Sequence, residues 1–594
     1  MKYILVLLLT ISLSFTIQAQ KEKVATSYTI SFENAIHHEA QVMAVFSNVK
    51  DKEVTFRMSR TSPGRYAIHE FAKNVYNVVV TDGKGNTLNT TRPDPYSWNV
   101  KDHDGTVQVS YTLFANRGDG TYAQIDETHA HLNMPATFMY MPSLADKAIQ
   151  VTFKPRKDLN WKVATQLKSN GNNSYYARDL QYFMDSPTEI SNHSIRSFTV
   201  DKQTINFVLH HNGTEAELDT YFEDVKKVVL QQKEVFGKLP NYDYDNYYFL
   251  ACYIPNASGD GMEHRNSTIL TSTRSLANGG LKRNIGTVSH EFFHGWNVER
   301  IRPQSLEPFD FEAANMSGEL WFAEGFTSYY TSLMMCRAGL LSKEEYIKGL
   351  TRTFNYVWNS PARDFFNPIE MSYQAPFVDA ATAVDPVNRN NTFISYYSYG
   401  SALGLALDLS LREKGLQLDD YMKLVWQKHG KKEKPYTVED LHNLLKKYAG
   451  DAFGDFFFQN YIYKSNMPDM NRLFESVGVS ISQDATKASF GVNITNGTIT
   501  QNTTIGTAAY KAGLEKGDKI IKVNNTAVTK DTSFKDIIAS LSPNDILNIA
   551  YERYGVTKET TATLQKDPSY IIQLDTTISD KSIVKRRDMW LDPK

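Results

Sequence analysis

Two histidines four residues apart, with a glutamate directly after the first, stand in "SHEFFHGWN" at residues 289–297. On an α-helix each residue advances ~100°, so positions i and i+4 fall within ~40° of each other and ~6 Å apart along the axis. His290 and His294 can therefore present two imidazoles to one ion. Glu291 projects toward the same side and is placed to take a proton from water activated there, which is the mechanical content of the H-E-x-x-H motif of zinc hydrolases. With 14 His in 594 residues, chance yields about 0.02 such motifs in a chain of this composition, so the spacing itself argues for a site.

A hydrolytic zinc site needs a third protein ligand and an open fourth position. Glu299, Glu312, Glu319 and Glu324 are the candidates downstream. Glu299 lies only five residues past His294, beyond the helix end expected at Gly295, and aims poorly. Glu324, in "LWFAEGFTSYY", sits on a later helix that could pack antiparallel to the first and deliver a carboxylate. Glu319, about one and a half turns earlier, could do the same or hydrogen-bond a metal-bound imidazole from behind. Spacing alone leaves both open. Cys252 and Cys336 are the only cysteines, too few for a structural zinc site, so the metal is expected on histidines and carboxylates. Whether the two cysteines pair is left open.

The elements that must position these residues follow from periodicity. From about Thr26 to Val200 the chain alternates in "SYTISF", "QVMAVFSNV", "EVTFRMS" and "VQVSYTLFA", punctuated by "SPG", "TDGKGN" and "RPDP", which reads as a β-domain. After Gly213 the period changes. Leu218, Tyr221, Phe222, Val225, Val229 and Phe236 form a helical stripe closed by Gly237 and Pro240, and a buried strand, "YYFLACYI", follows. Further helical patterns run to about Pro468, giving a mainly α region with a small sheet at its start. The last stretch reads as strands "FGVNIT", "KIIKVNN" and "ILNIAYERYG" with one short helix, "FKDIIASL". There is no internal repeat or low-complexity tract. The fold expected is multidomain α+β, bounded as residues 1–19 (signal peptide), 24–205 (N-terminal β-domain), 206–470 (catalytic domain), 480–570 (terminal module) and 571–594 (tail).

Composition bounds the partners. The chain is 41% hydrophobic and 22% charged with a formal net charge of −2, and only "VKRRDMW" near the end is locally basic, so nucleic-acid binding is not expected. The apolar run from Tyr3 to Ile17, followed by Ala19, is too short to span a membrane comfortably and reads as a secretory signal peptide cleaved after Ala19. No other long apolar stretch occurs, so a stable membrane span is not expected.

Several motifs carry a resemblance to known families. "HEFFH" followed at a distance by "LWFAEGF" resembles the gluzincin arrangement, which implies Glu324 as the third zinc ligand and leaves Glu319 for the support of an imidazole. "GDGMEHRNS" resembles the G-x-M-E-N element of aminopeptidase N type enzymes, which implies that Glu263, with Gly261 and Met262, binds a substrate's free α-amino group. Here His264 stands where those enzymes have Asn. Their Y-x-K-G element, which supplies a tyrosine to the transition state, is matched by "YYSYG", implying Tyr397, with Tyr399 in place of the Lys. The closest likeness is to the glycyl aminopeptidase family of secreted metallopeptidases, in "HGWNVERIRP" at 294–303 and "SPGRY" at 62–66, and it covers nearly the whole mature chain. That likeness implies a thermolysin-like catalytic domain, a C-terminal PDZ domain and preference for small N-terminal residues such as Gly and Ala. "KAGLEKGDKIIKVNN" and "SFGV" resemble the PDZ core and its carboxylate-binding loop, which would take a C-terminal peptide by β-augmentation.

The reading as a whole is a secreted or periplasmic aminopeptidase with one zinc per chain, acting on peptides with a free N-terminus. Two alternatives stand beside it. One is a zinc endopeptidase with PDZ-recruited substrates. The other is a non-catalytic envelope scaffold, against which the intact glutamate of the motif speaks.

Overall fold

The computed structural model describes residues 24–380, 387–530 and 533–594. The signal peptide expected at 1–19 lies outside the described residues.

Strands of the N-terminal region follow from the alternation of their residues. In Glu39–Ser47 every second side chain, Ala40, Val42, Ala44 and Phe46, is buried, and the others face out. Seven strands form one sheet, in which Thr26–Ser31 pairs in parallel with Ile149–Lys154 and antiparallel with Glu39–Ser47. A separate four-stranded sheet is made from Lys162–Thr165, Thr188–Ser191, His129–Leu132 and Gln124–Ile125.

The catalytic region starts from a five-stranded sheet in the order Ser194–Val200, Gln203–His211, Asn246–Tyr253, Ser267–Ser272, Asp260–His264. Its central strands are buried on both faces, which is why "YYFLACY" is a continuous apolar run. Phe207, Leu209, Phe249 and Ala251 face the helices. Val208 and Leu250 face Ala164 of the four-stranded sheet. The stripe from Leu218 to Phe236 forms the helix Glu215–Phe236, opened by a Thr214/Glu217 capping box and closed by Gly237 at φ 80°.

Two boundaries differ from those expected. The strand Ser194–Val200 pairs along its whole length with Gln203–His211, so the join drawn between 205 and 206 falls just past the turn of a hairpin of the catalytic sheet. Residues 571–594 are not a loose tail. Tyr570–Leu574 pairs antiparallel with Val479–Gln483, both ends of Tyr570 are held by Asn355, and the final helix Lys581–Leu591 docks on the catalytic helices. Trp590 there is fully buried and donates its Nε1–H to Tyr329 at 2.9 Å, while Arg337 donates to the Trp590 carbonyl. A polar helix whose buried residues, Trp590 and Leu591, stand together at its end carries too weak a periodicity to be read from sequence.

Between these paired strands the terminal module has its own core of Phe490, Leu514, Ile520, Val523, Leu547 and Ile549. No helix among the described residues is long and apolar enough to cross a membrane. Replacing Trp590 with Ala should cost about 3–5 kcal/mol, the usual penalty for emptying a buried indole site. It should lower the urea midpoint of the catalytic region, and an unchanged midpoint would mean that the last helix does not anchor that region.

Candidate active site

The helix Leu281–Phe293 carries His290 and Glu291 in its last turn, and His294 is its C-cap. Each imidazole is fixed from behind. His294 Nδ1 is 2.7 Å from the carbonyl of Asn297 and so donates to it. His290 Nδ1 is 3.1 Å from the Thr331 hydroxyl, which already gives its own hydrogen to the Thr327 carbonyl at 2.8 Å and therefore accepts. Both rings are thus protonated on Nδ1 and present an Nε2 lone pair forward.

Glu324 lies between the short helix Leu320–Ala323 and the helix Gly325–Arg337. The Asn297 side chain ties this junction to the histidine helix by donating to Phe322 O, Ala323 O and Thr327 Oγ1 at 3.1–3.2 Å. Gly325 meets Gly400, on the helix Tyr396–Glu413, backbone to backbone. A Cβ on Gly400 would collide with the Trp321 carbonyl, so glycine is required for the approach. Tyr66, from "SPGRY" in the N-terminal domain, donates its hydroxyl to Glu324 Oε1 at 2.8 Å. Glu324 Oε2 is left buried with no hydrogen-bond partner, 3.3 Å from His294 Nε2 and 3.6 Å from His290 Nε2.

Glu263, Met262 and Gly261 lie on Asp260–His264, the edge strand of the five-stranded sheet. Ligand atoms of Glu263, Glu291 and His294 fall within 4.8 Å of one another. Gly261 passes so close to Glu291 that any Cβ would displace its carboxylate. The N-terminal domain closes over this strand. Gly64, at φ +75°, lies against Met262 and Glu263, and Arg65 pairs with Asp260. His264 is turned away from the site and holds Asp185 at 2.8 Å, so its departure from Asn leaves the glutamate's setting intact.

Tyr397 is brought to the site, with its ring 5.9 Å from that of His290 and stacked at 4.9 Å on Tyr396. Tyr399, which takes the place of a lysine in the likeness, is fully buried. The structure corrects the role expected of Glu319. Its Oε2 accepts from Ser317 at 2.7 Å and Ser305 at 3.3 Å, and the imidazoles are held by Thr331 and Asn297 instead, because Glu319 sits a full helical turn before the Glu324 junction. Sequence reasoning missed Tyr66, Asn297 and Thr331 as site residues. "SPGRY" and "HGWN" were visible as motifs, but their spacing gives no hint that one reaches across a domain boundary. Cys252 and Cys336 are both free and buried.

Three carboxylates crowded beside two imidazoles distort the titration of all five. Burial, with Glu263 and Glu324 near, holds the Glu291 carboxyl well above the usual range. Burial opposes the charged form of His294, but Glu324 and Glu263 outweigh it and push the ring up to about 10. Burial alone would favour a neutral Glu324, yet His294 and His290 hold it below the ordinary carboxylate range. Without a metal, a proton on His294 balances the Glu324 carboxylate; with that proton lost, two imidazole lone pairs and a carboxylate oxygen converge on one point and suit a cation. Around a tetrahedral ion with bonds of ~2.0–2.1 Å the ligand atoms stand ~3.3–3.4 Å apart, close to the spacings found here, so the residues fit a metal ion.

The fold and this ligand set define a metallopeptidase, and comparison with known proteins places it further. Residues 27–192 match the Peptidase M61 N-terminal domain, residues 283–403 the M61 glycyl aminopeptidase, and residues 478–564 a PDZ domain. The chain belongs to the M61 peptidases. The crystal structure of the aminopeptidase N family protein from Idiomarina loihiensis has a TM-score of 0.84 at 23% identity, over 96% of this chain and 100% of that one. At that identity the likeness speaks to the fold. The serine protease Do-like HtrA of Lactococcus lactis subsp. cremoris is 31% identical over 101 residues, 17% of this chain and 24% of that protein. Its counterpart from Lactococcus lactis subsp. lactis is 31% identical over 130 residues, 22% and 29% respectively. The chain thus spans between 24% and 29% of the length of these curated relatives.

Tyr66→Phe removes the hydrogen bond that orients Glu324. It should weaken metal binding by roughly 10- to 100-fold, the usual effect of losing a partner behind a ligand, when measured by competition with a metal buffer. Equal affinity in the variant would show that Glu324 is held without Tyr66.

Proposed function

We propose that this protein is a zinc aminopeptidase that removes N-terminal residues from peptides, with His290, His294 and Glu324 holding the ion. The observation that carries the reading is the placement of Glu263 on the sheet edge, with its carboxylate within 4.8 Å of Glu291 and His294. A buried carboxylate there matches the positive α-ammonium of a peptide whose first carbonyl lies at the metal, and an internal peptide bond offers nothing to pair with it.

A bound zinc ion supplies Lewis acidity to the scissile carbonyl and lowers the pKa of water at the site. Glu291 accepts the proton of the attacking water on its carboxylate and delivers it to the leaving amine as the C–N bond breaks. Glu263 holds the ammonium and sets the register of cleavage. Tyr397, beside His290, is positioned to donate its hydroxyl to the oxygen on which negative charge develops. Tyr66 fixes Glu324. Glycines at 64 and 261 pack against Glu263 and Glu291, and this crowding favours small first residues such as Gly or Ala. The terminal domain takes C-terminal peptide segments along its strand edge. The apolar start of the chain fits a protein exported to the periplasm or beyond.

Glu291→Gln should retain the metal and lose roughly 100- to 10,000-fold in kcat, the contribution of a positioned general base. Glu263→Ala should lower kcat/KM on free-amine substrates by roughly 10- to 100-fold, as expected for a lost charge-assisted hydrogen bond. N-acetylation should produce a similar loss in the wild type. The two losses should not add, since both delete one ion pair. Cleavage of acetylated peptides as fast as free ones would replace this reading with an endopeptidase.

A further inference from the structure

Far from "HEFFH" in the sequence, the four-stranded sheet of the N-terminal domain lies on the outer face of the catalytic sheet, and a group of ionisable side chains is shut between them. His129, His131 and Glu189 come from the first sheet, His210 and Cys252 from the second, and none is more than 9% exposed. Strand pairing assembles the group. Glu189 stands opposite His131, His210 stands opposite Cys252, and His129 shares a face with His131 two residues on. An apolar seam would be the ordinary way to join two sheets, so this composition needs another reason.

Hydrogen bonds at the back of each ring decide which nitrogen is bare. Gln124 donates its amide to Asn256 O at 3.0 Å, so its oxygen is what faces His129 Nε2 at 3.2 Å, and that nitrogen carries the hydrogen. Thr128 gives its hydroxyl hydrogen to Asp126 at 2.6 Å and so accepts from His210 Nε2 at 3.2 Å. His131 Nε2 donates to Asp119 O at 3.1 Å. In neutral form all three rings are therefore left with a lone pair on Nδ1. His129 Nδ1 points at Glu189 Oε1, 3.3 Å away, and at Cys252 Sγ, 3.7 Å away. His131 Nδ1 faces Glu189 Oε2 at 3.3 Å. Ligand atoms of His129, His210 and Cys252 all lie within 4.8 Å of one another.

Donors converging in this way need either extra protons or a cation between them. Around a tetrahedral zinc ion, bonds of ~2.0–2.1 Å to nitrogen or oxygen and ~2.3 Å to sulfur set N···S edges near ~3.6 Å and N···O edges near ~3.3 Å. The 3.7 Å from His129 Nδ1 to Cys252 Sγ is close to the first. We propose that the seam is a second metal site. It takes a zinc-type ion on His129 Nδ1, His210 and the Cys252 thiolate, with the Glu189 carboxylate beside His129 as a neighbouring negative charge, and it staples the N-terminal domain to the catalytic domain. Cys252 releases its thiol proton to solvent as the ion binds. The mixed nitrogen and sulfur set, buried between two sheets, suits a zinc-type ion in a structural role.

The full-length protein, stripped of metal and reloaded with cobalt(II), tests this separately from the catalytic site, whose ligands include no sulfur. A thiolate-to-cobalt charge-transfer band in the near ultraviolet is expected. It should persist in Glu324→Ala and vanish in Cys252→Ser. Zinc content should be two ions per chain in the wild type and one in either variant. Chelation should lower the Tm of Glu324→Ala, where only the seam ion remains. If cobalt-loaded wild type shows no such band, or the band survives in Cys252→Ser, the seam is an ion-paired cluster of protonated histidines around Glu189 and the proposal falls. The wild-type spectrum decides this even where Cys252→Ser does not fold.

Discussion

Glu324 has two carboxylate oxygens, and they answer to different parts of the chain. Oε1 accepts from Tyr66 of the N-terminal domain, and Oε2 faces the two imidazoles. A carboxylate free to rotate would offer either oxygen, or both, to an ion. One claimed by a neutral hydroxyl has a single orientation in which the other can bind. The orientation of Glu324 is therefore complete only when the β-domain is docked, although Glu324, His290 and His294 all lie in the catalytic domain. The rest of the arrangement serves this contact. Asn297 locks the turn that carries Glu324, the crossing of Gly325 and Gly400 brings in the helix with Tyr397, and Arg65 with Asp260 holds the "SPGRY" loop over the edge strand.

That dependence explains which parts of the site were legible in the sequence. "HEFFH" was readable because one helix sets the geometry of both histidines, and helix geometry is local. Glu324 was not separable from Glu319 by spacing, since the choice rests on a junction between two helices that Asn297 creates from outside. Only the resemblance favoured one. Tyr66 lies 258 residues from its partner, and no periodicity reports a contact over that separation. The final helix escaped for a different reason. It is anchored by Trp590 and Leu591 at its end and by one bond from Arg337 to the Trp590 carbonyl rather than by an apolar stripe, so "VKRRDMW" reads only as a locally basic segment.

The β-domain pattern and the two-faced burial of "YYFLACY" were legible, and the second of these carries an unexpected consequence. A strand buried on both faces must present half its residues to something other than its own helices. Val208 and Leu250 meet an apolar partner in Ala164, but further along the same face His210 and Cys252 meet His129. No spacing along the chain brings Cys252 together with His129 and His210, and only the packing of the two sheets does so.

The terminal domain is tied into the catalytic region at both ends. Its flanking strands Val479–Gln483 and Tyr570–Leu574 pair with each other, and Asn355 of the helix Lys343–Trp358 grips the second of them through Tyr570. A third tie is Asn391, which donates to Thr503 O and accepts from Ile505 N, so it satisfies the backbone of the domain in the manner of a neighbouring strand. A module hung from one flexible linker would sample many orientations and raise the local concentration of a captured peptide only diffusely. Here the two strand ends and Asn391 fix its orientation relative to the helix that begins at Tyr396. A peptide added to the strand edge of this domain would therefore meet the catalytic face in a restricted set of directions, and the domain acts as part of the enzyme's frame rather than as a detachable tether.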